Sequence, residues 1–378
     1  MGDKEADEAE HRVYIGSFTS SGGRGITTAA LDPETGALTE LSTTDALADP
    51  SYLVEGVHIG VVYAVSERGE GAVGAFIADG RGLRPLGAPV PVGGAGPTHL
   101  AEAWPWLLTA HYTSGGVGAV AITEDGSLAG PAQVLRHHGS GPDPERQEGP
   151  HAHQVLHDPS GRWVLSVDLG ADSVRVCALD DDTGTLRPHS ETALTPGNGP
   201  RHLVFHPDEE VAYVVNELRP LLTVCRWDAE AGRLEPVGEV PLVAEGGSEA
   251  SSGAARAYPS AAAVALDGRF LWVAVRGADV LATLSLADGS DKPRLTGAVD
   301  CGGHWPRDLA IDLYRNRLYA ANERSGDVTW FDVDPETGQP RRAGSLPVPA
   351  ATCVLIQCCD RDMRGARPGT SGAGPTHA

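Results

Sequence analysis

Ionisable residues recur along this chain at a fixed separation and in similar local sequence. Arg201 is followed sixteen residues later by Glu217, and Arg307 is followed at the same separation by Glu323. In both cases a Pro-Arg dipeptide opens one apolar run and an Asn-Glu dipeptide closes the next. This recurrence predicts that the four side chains occupy corresponding places in a repeated unit and meet where the units converge.

Alignment of the other copies of the unit adds residues at the same two positions. The first position is held by Ser51, Thr98, His153 and Ser260, and the second by Glu67, Tyr112 and Arg276. A histidine titrates near neutrality and can transfer protons, whereas arginines stay charged and bind carboxylate or phosphate groups bidentately. Ionisable groups gathered in one place are costly unless they are paired or used. The two positions therefore predict a site for a small anion.

The repeated unit consists of short apolar runs separated by turn residues. Clear copies span residues 149–186, 199–237, 258–286 and 305–340, and weaker copies begin at Pro50 and Gly96. The runs are rich in Val, Leu and Ala and are bounded by Gly, Asp, Asn or Pro, which is typical of β-strands. No segment keeps a helical apolar period over a dozen residues. Four strands repeated at about 40 to 60 residues predict the blades of a β-propeller.

The two ends of the chain supply a further blade. Residues 13–41 look like a unit that lacks its first strand, and residues 347–357 look like a first strand alone. The turn LDPETG at 31–36 also matches VDPETG at 333–338. We therefore predict an all-β fold over residues 11–360: a single seven-bladed propeller with four-stranded antiparallel blades, closed by the C-terminal strand completing the N-terminal blade. Residues 1–10 and 361–378 are predicted to be disordered.

This fold would place both repeated positions at the mouth of the central channel, where the innermost strands begin. The segment 134–150 is longer than the other connections between units and leads directly to His153. Long loops at a functional mouth often bind ligands, although a solvated insertion is an equally good interpretation. We expect Arg146 and Gln147 to contact the substrate from this loop.

The composition argues against several classes of protein. The chain has 29 basic and 51 acidic residues, a formal net charge of −22, and no basic block, which disfavours nucleic-acid or membrane partners. Its apolar runs are too short to span a bilayer, and its first ten residues are acidic, unlike a secretory signal. The six cysteines show no metal-binding or disulfide spacing, so we predict reduced thiols and a cytoplasmic protein, monomeric or weakly homo-oligomeric.

Six short motifs, spread over most of the chain, resemble those of a known enzyme family. They are GPHAH (149–153), GPRHLVFHP (199–207), VNEL (215–218), PSAAAV (259–264), VAVRG (273–277) and WPRDLAID (305–312). The chain resembles the seven-bladed propeller lactonases, a family that includes propeller-type 6-phosphogluconolactonases and 3-carboxy-cis,cis-muconate lactonizing enzymes. By motif, the His, two Arg and Glu implicated in the muconate enzymes correspond to His153, Arg201, Arg276 and Glu217. Arg307 matches another arginine typical of the family.

The resemblance implies hydrolysis of a small anionic lactone, with 6-phosphogluconolactone as the first candidate and no cofactor. Lactone opening needs a base to activate water, stabilisation of the oxyanion, and an acid for the departing alkoxide. His153 could perform either proton transfer, and Glu217 could act as the base or orient His153. Arg201 and Arg276 are the other catalytic candidates, and with Arg307 they would hold the substrate's anion and stabilise the oxyanion. The further candidates for substrate binding are Arg307, Glu323 and Tyr112.

Other interpretations remain open at this stage. A muconate-type cycloisomerase would use the same residues in the reverse direction, and a non-catalytic interaction scaffold would not need them. Glu217 could simply neutralise Arg201 or Arg276, and Arg307 and Glu323 could form a structural ion pair. A strand would place His151, His153 and His157 on one face. We expect no bound metal there, because nearby arginines would repel a divalent cation.

Overall fold

The computed structural model describes residues 11–80, 82–208, 210–243 and 256–357. The segments predicted to be disordered, 1–10 and 361–378, lie outside the described residues. Across these ranges the chain forms seven antiparallel sheets, each built mainly from four consecutive strands. The predicted seven-bladed propeller is confirmed.

The first three blades contain the N-terminal strands. Blade 1 has β1 (Arg12–Ser17), β2 (Ile26–Leu31) and β3 (Leu38–Thr44). Blade 2 has β4 (Leu53–Glu55), β5 (Val61–Ser66) and β6 (Ala72–Asp79), with an outer edge split into β7 (Gly82–Pro85) and β8 (Val90–Pro91). Blade 3 has β9 (Pro97–Ala103), β10 (Trp106–His111), β11 (Gly116–Ile122) and β12 (Leu128–Arg136).

The remaining blades follow the same order from the inside outward. Blade 4 has β13 (Ala152–His157), β14 (Val164–Asp168), β15 (Ser173–Leu179) and β16 (Leu186–Ala193). Blade 5 has β17 (Pro200–Phe205), β18 (Val211–Asn216), β19 (Leu221–Asp228) and β20 (Arg233–Pro241). Blade 6 has β21 (Tyr258–Val264), β22 (Phe270–Arg276), β23 (Val280–Ser285) and β24 (Arg294–Asp300). Blade 7 has β25 (Pro306–Asp312), β26 (Arg317–Asn322), β27 (Asp327–Val333) and β28 (Pro340–Pro347).

The C-terminal strand β29 (Ala351–Ile356) closes the ring. It pairs antiparallel with β1, for example through Val13 opposite Ile356, and so becomes the innermost strand of blade 1. The first strands of neighbouring blades contact one another around the ring, as expected of the strands nearest the axis. In the matched turns, Asp32 and Asp334 each accept two backbone N–H bonds from the residues that follow. The predicted closure and its register are confirmed.

The hydrophobic core is divided among the interfaces between blades. Each pair of neighbouring blades in the described residues has its own buried cluster, made mainly of Val, Leu and Ala. At six of the seven interfaces in the described residues, the polar group of a buried or half-buried aromatic residue donates to a turn carbonyl of the next blade. These residues are Tyr63, Tyr213, Tyr319, Trp106, Trp163 and Trp272. A chain with only 5% aromatic residues therefore uses many of them to fix blade to blade.

Helix contributes almost nothing to the fold. The described residues contain one short 3₁₀ helix, Thr19–Ser21, which follows β1. Within the described ranges no helix has the length and apolar character needed to cross a membrane.

Removal of the closing strand should prevent folding. A chain that ends at Ser345 loses β29, whose Ala351, Cys353 and Val354 are buried, and uncovers the edge of β1. Burial of a side chain the size of Val354 stabilises the folded state by about 1.5–3 kcal/mol, whereas the free energy of unfolding of a whole protein is roughly 5–15 kcal/mol. We expect loss of cooperative urea unfolding, monitored by tryptophan fluorescence, relative to a chain ending at Gln357. Equal unfolding midpoints for the two chains would contradict ring closure by β29.

Candidate active site

An extra residue at the start of the inner strand directs side chains into the channel. In β17, Pro200 pairs with Asn216 and His202 with Val215, which leaves Arg201 outside the ladder. The same irregularity leaves out Thr98, His153, Arg307 and Thr352 in their own strands. A bulged residue is unpaired and its side chain is re-aimed, which is why bulges are frequent beside active sites. These residues, with Ser51 and Ser260, are called the first ring below.

A second repeated contact positions the residues that follow the second strands. Each of four backbone N–H groups donates to the carbonyl of the residue directly before a proline, at or shortly before the start of the inner strand of the same blade. These N–H groups belong to Glu67, Tyr112, Glu217 and Glu323. Phe18 makes the equivalent bond to the carbonyl of Ala350. These five residues, together with Arg276 at the end of β22, are called the second ring. The structure therefore brings together the two sets of residues that the sequence spacing predicted.

Glu217 is the centre of the charged cluster. Its Oε1 accepts a hydrogen bond from Arg146 Nη2 at 2.5 Å, and its Oε2 accepts one from Arg276 Nη2 at 2.6 Å. Arg201 Nε lies 3.2 Å from the same Oε2. Burial opposes ionisation, but the charges of Arg276, Arg201 and Arg146 prevail and lower the pKa of Glu217 to about 2. Glu217 is thus a poor proton acceptor at neutral pH, which argues against the expectation that it acts as a base.

Arg201 keeps an unused hydrogen-bond donor in this cluster. Its side chain is 6% exposed, and its Nη1 donates to the carbonyl of Ser260. Its Nε–H is buried and makes no hydrogen bond within the part of the chain that the structure describes, despite its proximity to Glu217. Burial and the neighbouring Arg276 lower the pKa of Arg201 to about 9, so it remains charged at neutral pH. A buried guanidinium with a free donor favours the arrival of an anion.

Arg307 lies between two other carboxylates of the second ring. Its Nη2 is 3.0 Å from Glu67 Oε2, and its Nη1 is 3.4 Å from Glu323 Oε2. The guanidinium also lies 4.8 Å from the ring centre of Phe18. Four guanidinium groups, counting Arg146, therefore face three carboxylates, which gives the mouth a positive excess within a chain of net charge −22.

His153 is the titratable group of the first ring. Its imidazole makes no hydrogen bond to any residue in the described ranges, although its backbone carbonyl accepts one from Thr98 at 3.0 Å. Burial lowers the pKa of His153 well below the ordinary value, and the charges of Arg201, Arg307 and Arg276 lower it further. The neutral form of the ring is therefore favoured, and the one nitrogen that carries no hydrogen can accept a proton from a bound water.

The loop before β13 contributes one of its two candidate residues to the cluster. Arg146 reaches Glu217 and also donates to the hydroxyl of Tyr112 at 3.0 Å. Gln147 is fully buried: its Nε2 donates to the carbonyl of Leu169 at 2.8 Å and its Oε1 accepts the N–H of Asp143. This position does not support the expected contact between Gln147 and substrate, because both polar atoms of the amide already hold the loop.

The three histidines considered for a metal do not converge. His151 stacks on Tyr112 and donates from Nδ1 to the carbonyl of that residue at 2.7 Å. His157 ends β13 at the opposite end from His153. Among the residues that the structure describes, no group of three His, Cys, Asp or Glu side chains is arranged to hold a metal ion.

A buried polar layer below the first ring was not predicted. A cavity of about 20 Å³, room for a single water molecule, is lined by first-ring residues and their neighbours Tyr52, His99, His202 and Asp308. Both ring nitrogens of His99 lack a partner among the described residues. Burial lowers the pKa of His99 and His202 and raises that of Asp308, so these groups favour their neutral forms. The channel is thus narrow, and burial disfavours charge on these three groups, while Arg201 and Arg307 line the same cavity.

Sequence reasoning missed three further residues at the mouth. Phe18 and Thr352 belong to the blade that is split between the chain ends, and extension of the repeat alignment to that blade would have found them. Trp305 directly precedes the inner strand of blade 7 and has a positive φ of 67°. A positive φ recurs at the corresponding position of other blades, in Asp49, Gly96, Gly199 and Ala350, and Trp305 is the bulkiest residue that adopts it.

Comparison with known proteins agrees with this arrangement. The family described as "Lactonase, 7-bladed beta-propeller" matches residues 12–356. The 6-phosphogluconolactonase of Bacillus subtilis is 34% identical over 347 residues, which cover 90% of this chain and 97% of that protein.

Solved structures show the same likeness over most of the chain. The periplasmic gluconolactonase PpgL of Pseudomonas aeruginosa has a TM-score of 0.85 at 26% identity, with 93% of this chain and 99% of that chain covered. A crystal structure from Bacteroides fragilis has a TM-score of 0.84 at 27% identity and covers 94% and 100% of the two chains. With the family match spanning nearly all of the described residues, the chain belongs to the seven-bladed β-propeller lactonase family.

Proposed function

We propose that this protein is a lactonase that hydrolyses 6-phosphogluconolactone or a closely similar anionic sugar lactone at the channel mouth. The observation that carries the proposal is the position of a neutral His153 beside a cluster of guanidinium groups that outnumber the carboxylates. A proton acceptor and several fixed cations are what the hydrolysis of an anionic ester requires. The name of the Bacillus subtilis relative supports the choice of substrate.

His153 is the proposed general base. Water bound at the imidazole would attack the lactone carbonyl as the ring accepts its proton, and the imidazolium would return that proton to the departing alkoxide. One group performs both transfers because the lactone ring keeps the alkoxide close to the acyl carbon. The lowered pKa of His153 keeps the imidazole in its neutral form before each turnover.

The arginines are proposed to stabilise the oxyanion and hold the anion. Arg201 has a free Nε–H, and Arg276 shares Glu217 with it, so both are fixed before the substrate arrives. Preorganised donors cost no reorganisation when charge develops on the carbonyl oxygen. In this scheme Glu217 is a positioning residue that holds the guanidiniums in place and does not itself exchange a proton.

The reverse reaction, closure of a carboxylate onto an alkene, would use the same groups. The scaffold alternative does not account for the buried charged cluster, because burial of charged groups is unfavourable and a scaffold does not require them at the axis. We also propose action as a monomer or weak homo-oligomer in the cytoplasm, without a nucleic-acid or membrane partner. Two observations support the cytoplasm as the proposed location: the net charge of −22 and the free thiols of the four cysteines that the structure describes, Cys177, Cys225, Cys301 and Cys353.

A substrate panel tests the proposal directly. Purified protein should release acid from 6-phosphogluconolactone faster than from glucono-δ-lactone, with muconolactone as a third substrate, after subtraction of spontaneous hydrolysis measured in a pH-stat. No turnover above background on any of the three by folded protein would overturn the proposed function.

The pH dependence should report the depressed pKa of His153. A general base must be unprotonated, so kcat/KM should stay constant as the pH falls through 6.5, the ordinary histidine value, and decline only at lower pH. Replacement of Arg307 by Gln removes one of the cations that oppose protonation and should move this acid limb to higher pH. An acid limb at or above pH 6.5 in the wild type would contradict the assignment.

Glu217 and Glu323 provide a matched pair of substitutions. Glu217→Gln leaves three guanidiniums without their shared carboxylate and should lower kcat/KM by roughly 10²–10³. Glu323→Gln should cost less than about tenfold because Arg307 keeps Glu67 as its partner.

Thermal melts must accompany these kinetics, because loss of one partner from a buried ion pair can cost about 3–5 kcal/mol of stability. Activity lost by Glu217→Gln in protein that is still folded at the assay temperature assigns Glu217 to the site. Unchanged kinetics for this variant would instead mean that the cluster has a structural role alone.

A further inference from the structure

One arginine beside the second ring, Arg324, differs from the arginines of the charged cluster in having no acidic partner. Arg146, Arg201 and Arg276 share Glu217, and Arg307 has two carboxylates. Arg324 directly follows the second-ring residue Glu323, is exposed, and forms no ion pair within the described part of the chain. Its guanidinium is therefore a cation whose charge no neighbouring carboxylate neutralises.

Stacking on Trp305 fixes the position of Arg324. The guanidinium carbon lies 3.4 Å from the centre of the indole ring. Arg276, a member of the charged cluster, lies 5.4 Å from the same ring centre. One aromatic side chain therefore contacts both cations and connects Arg324 to the charged cluster.

The backbone of Trp305 has a φ of 67°, in the left-handed region that a bulky side chain rarely adopts. A positive φ recurs at the corresponding residues of other blades, so it belongs to the turn that the blades repeat: Asp49, Gly96, Gly199 and Ala350. Trp305 is the bulkiest residue at this position, and its indole contacts the rings of Tyr258 and His304 as well as the two arginines. These contacts hold the indole in place beside Arg324.

A recess beside Arg324 could receive part of a ligand. It has a volume of about 470 Å³, within the range of small-molecule sites, and is lined by Ser21, Glu323, Arg324, Ser325, Pro349 and Ala350. Glu323 is already engaged with Arg307, and the hydroxyl of Ser325 donates to Asp327. Arg324 is thus the one cation that lines the recess among the described residues. Glu323 lines the recess and also belongs to the charged cluster, so the two are adjacent.

We propose that this recess is the subsite for the anionic end of the substrate remote from the lactone carbonyl, with Arg324 as the specificity-determining residue. The inference rests on the proposed lactonase function and deepens it. The arginines around Glu217 serve the reacting ester, while Arg324 binds the distal phosphate. The protein then favours phosphorylated over unphosphorylated sugar lactones because only the former neutralise Arg324.

Binding of the open-chain acids tests the subsite separately from catalysis. Isothermal titration should show that the wild type binds 6-phosphogluconate more tightly than gluconate, which lacks the phosphate. Arg324→Ala should weaken 6-phosphogluconate binding by about tenfold or more, the effect of one lost charge-assisted contact, and leave gluconate unchanged. Arg226→Ala, at an exposed arginine on the outer part of blade 5, is the control for a general loss of positive charge and should change neither affinity.

Substitutions of Trp305 test whether the stack positions Arg324. Trp305→Asn suits the left-handed backbone and removes the indole, so it should lose the preference for 6-phosphogluconate with Arg324 still present. Trp305→Phe keeps an aromatic face and should retain most of it. Melting temperatures confirm that each variant is folded.

Two results would overturn the proposal: equal wild-type affinity for the two acids, or an Arg324→Ala variant that weakens both acids alike or neither. Failure of the proposed function is distinguishable, because the wild type would then not turn over any lactone. The binding comparison tests the subsite whether or not the wild type is active. With active protein, Arg324→Ala should raise KM for 6-phosphogluconolactone and leave the kinetics on glucono-δ-lactone unchanged.

Discussion

The inner strand of most blades begins with a residue that is left out of the hydrogen-bond ladder, and the arrangement of the mouth depends on this irregularity. A regular strand would alternate its side chains between the two faces of the blade, toward the hydrophobic clusters on either side. The extra residue re-aims its side chain into the channel while the rest of the strand keeps its register. His153, Arg201 and Arg307 are all such residues, so the groups proposed for proton transfer and anion binding lie where the sheet is interrupted.

Burial and compensation together set the electrostatics of the mouth. Arginines held away from water are costly, and Glu217 offsets three of them by accepting hydrogen bonds or close contacts on both oxygens. The same low-dielectric surroundings strengthen the repulsion between the guanidiniums and a protonated His153, which keeps that ring neutral. The positive excess of the cluster therefore favours anions, and together with burial it lowers the pKa of the proposed base His153.

Rigidity of the ring comes from features remote from the mouth. Hydrophobic clusters fill the interfaces between blades. The polar groups of tyrosine and tryptophan side chains donate hydrogen bonds to turns of neighbouring blades. The closing strand joins the two ends of the chain, so the blades cannot splay without breaking a sheet. Contacts such as Glu217 to Arg276 join different blades, and their short distances require that the blades stay fixed relative to one another.

The sequence by itself determined the fold, the closure and all members of the two rings except Phe18 and Thr352, because a repeated unit folds repeatedly in the same way. A separation of sixteen residues between Arg201 and Glu217, or Arg307 and Glu323, has the same meaning in each blade, and the matched Asp-Pro-Glu-Thr-Gly turns align the two chain ends. Only the tertiary structure decided the partners. Arg307 lies nearest Glu67 and Glu323, whereas Glu217 takes Arg276 from the next blade and Arg146 from a loop. Gln147 turns inward although its neighbour Arg146 reaches the site, and Arg324 stacks on Trp305 without an acidic partner in the described ranges. Such choices depend on how long side chains from separate blades meet across the axis, and the spacing within one repeat contains no information about that distance.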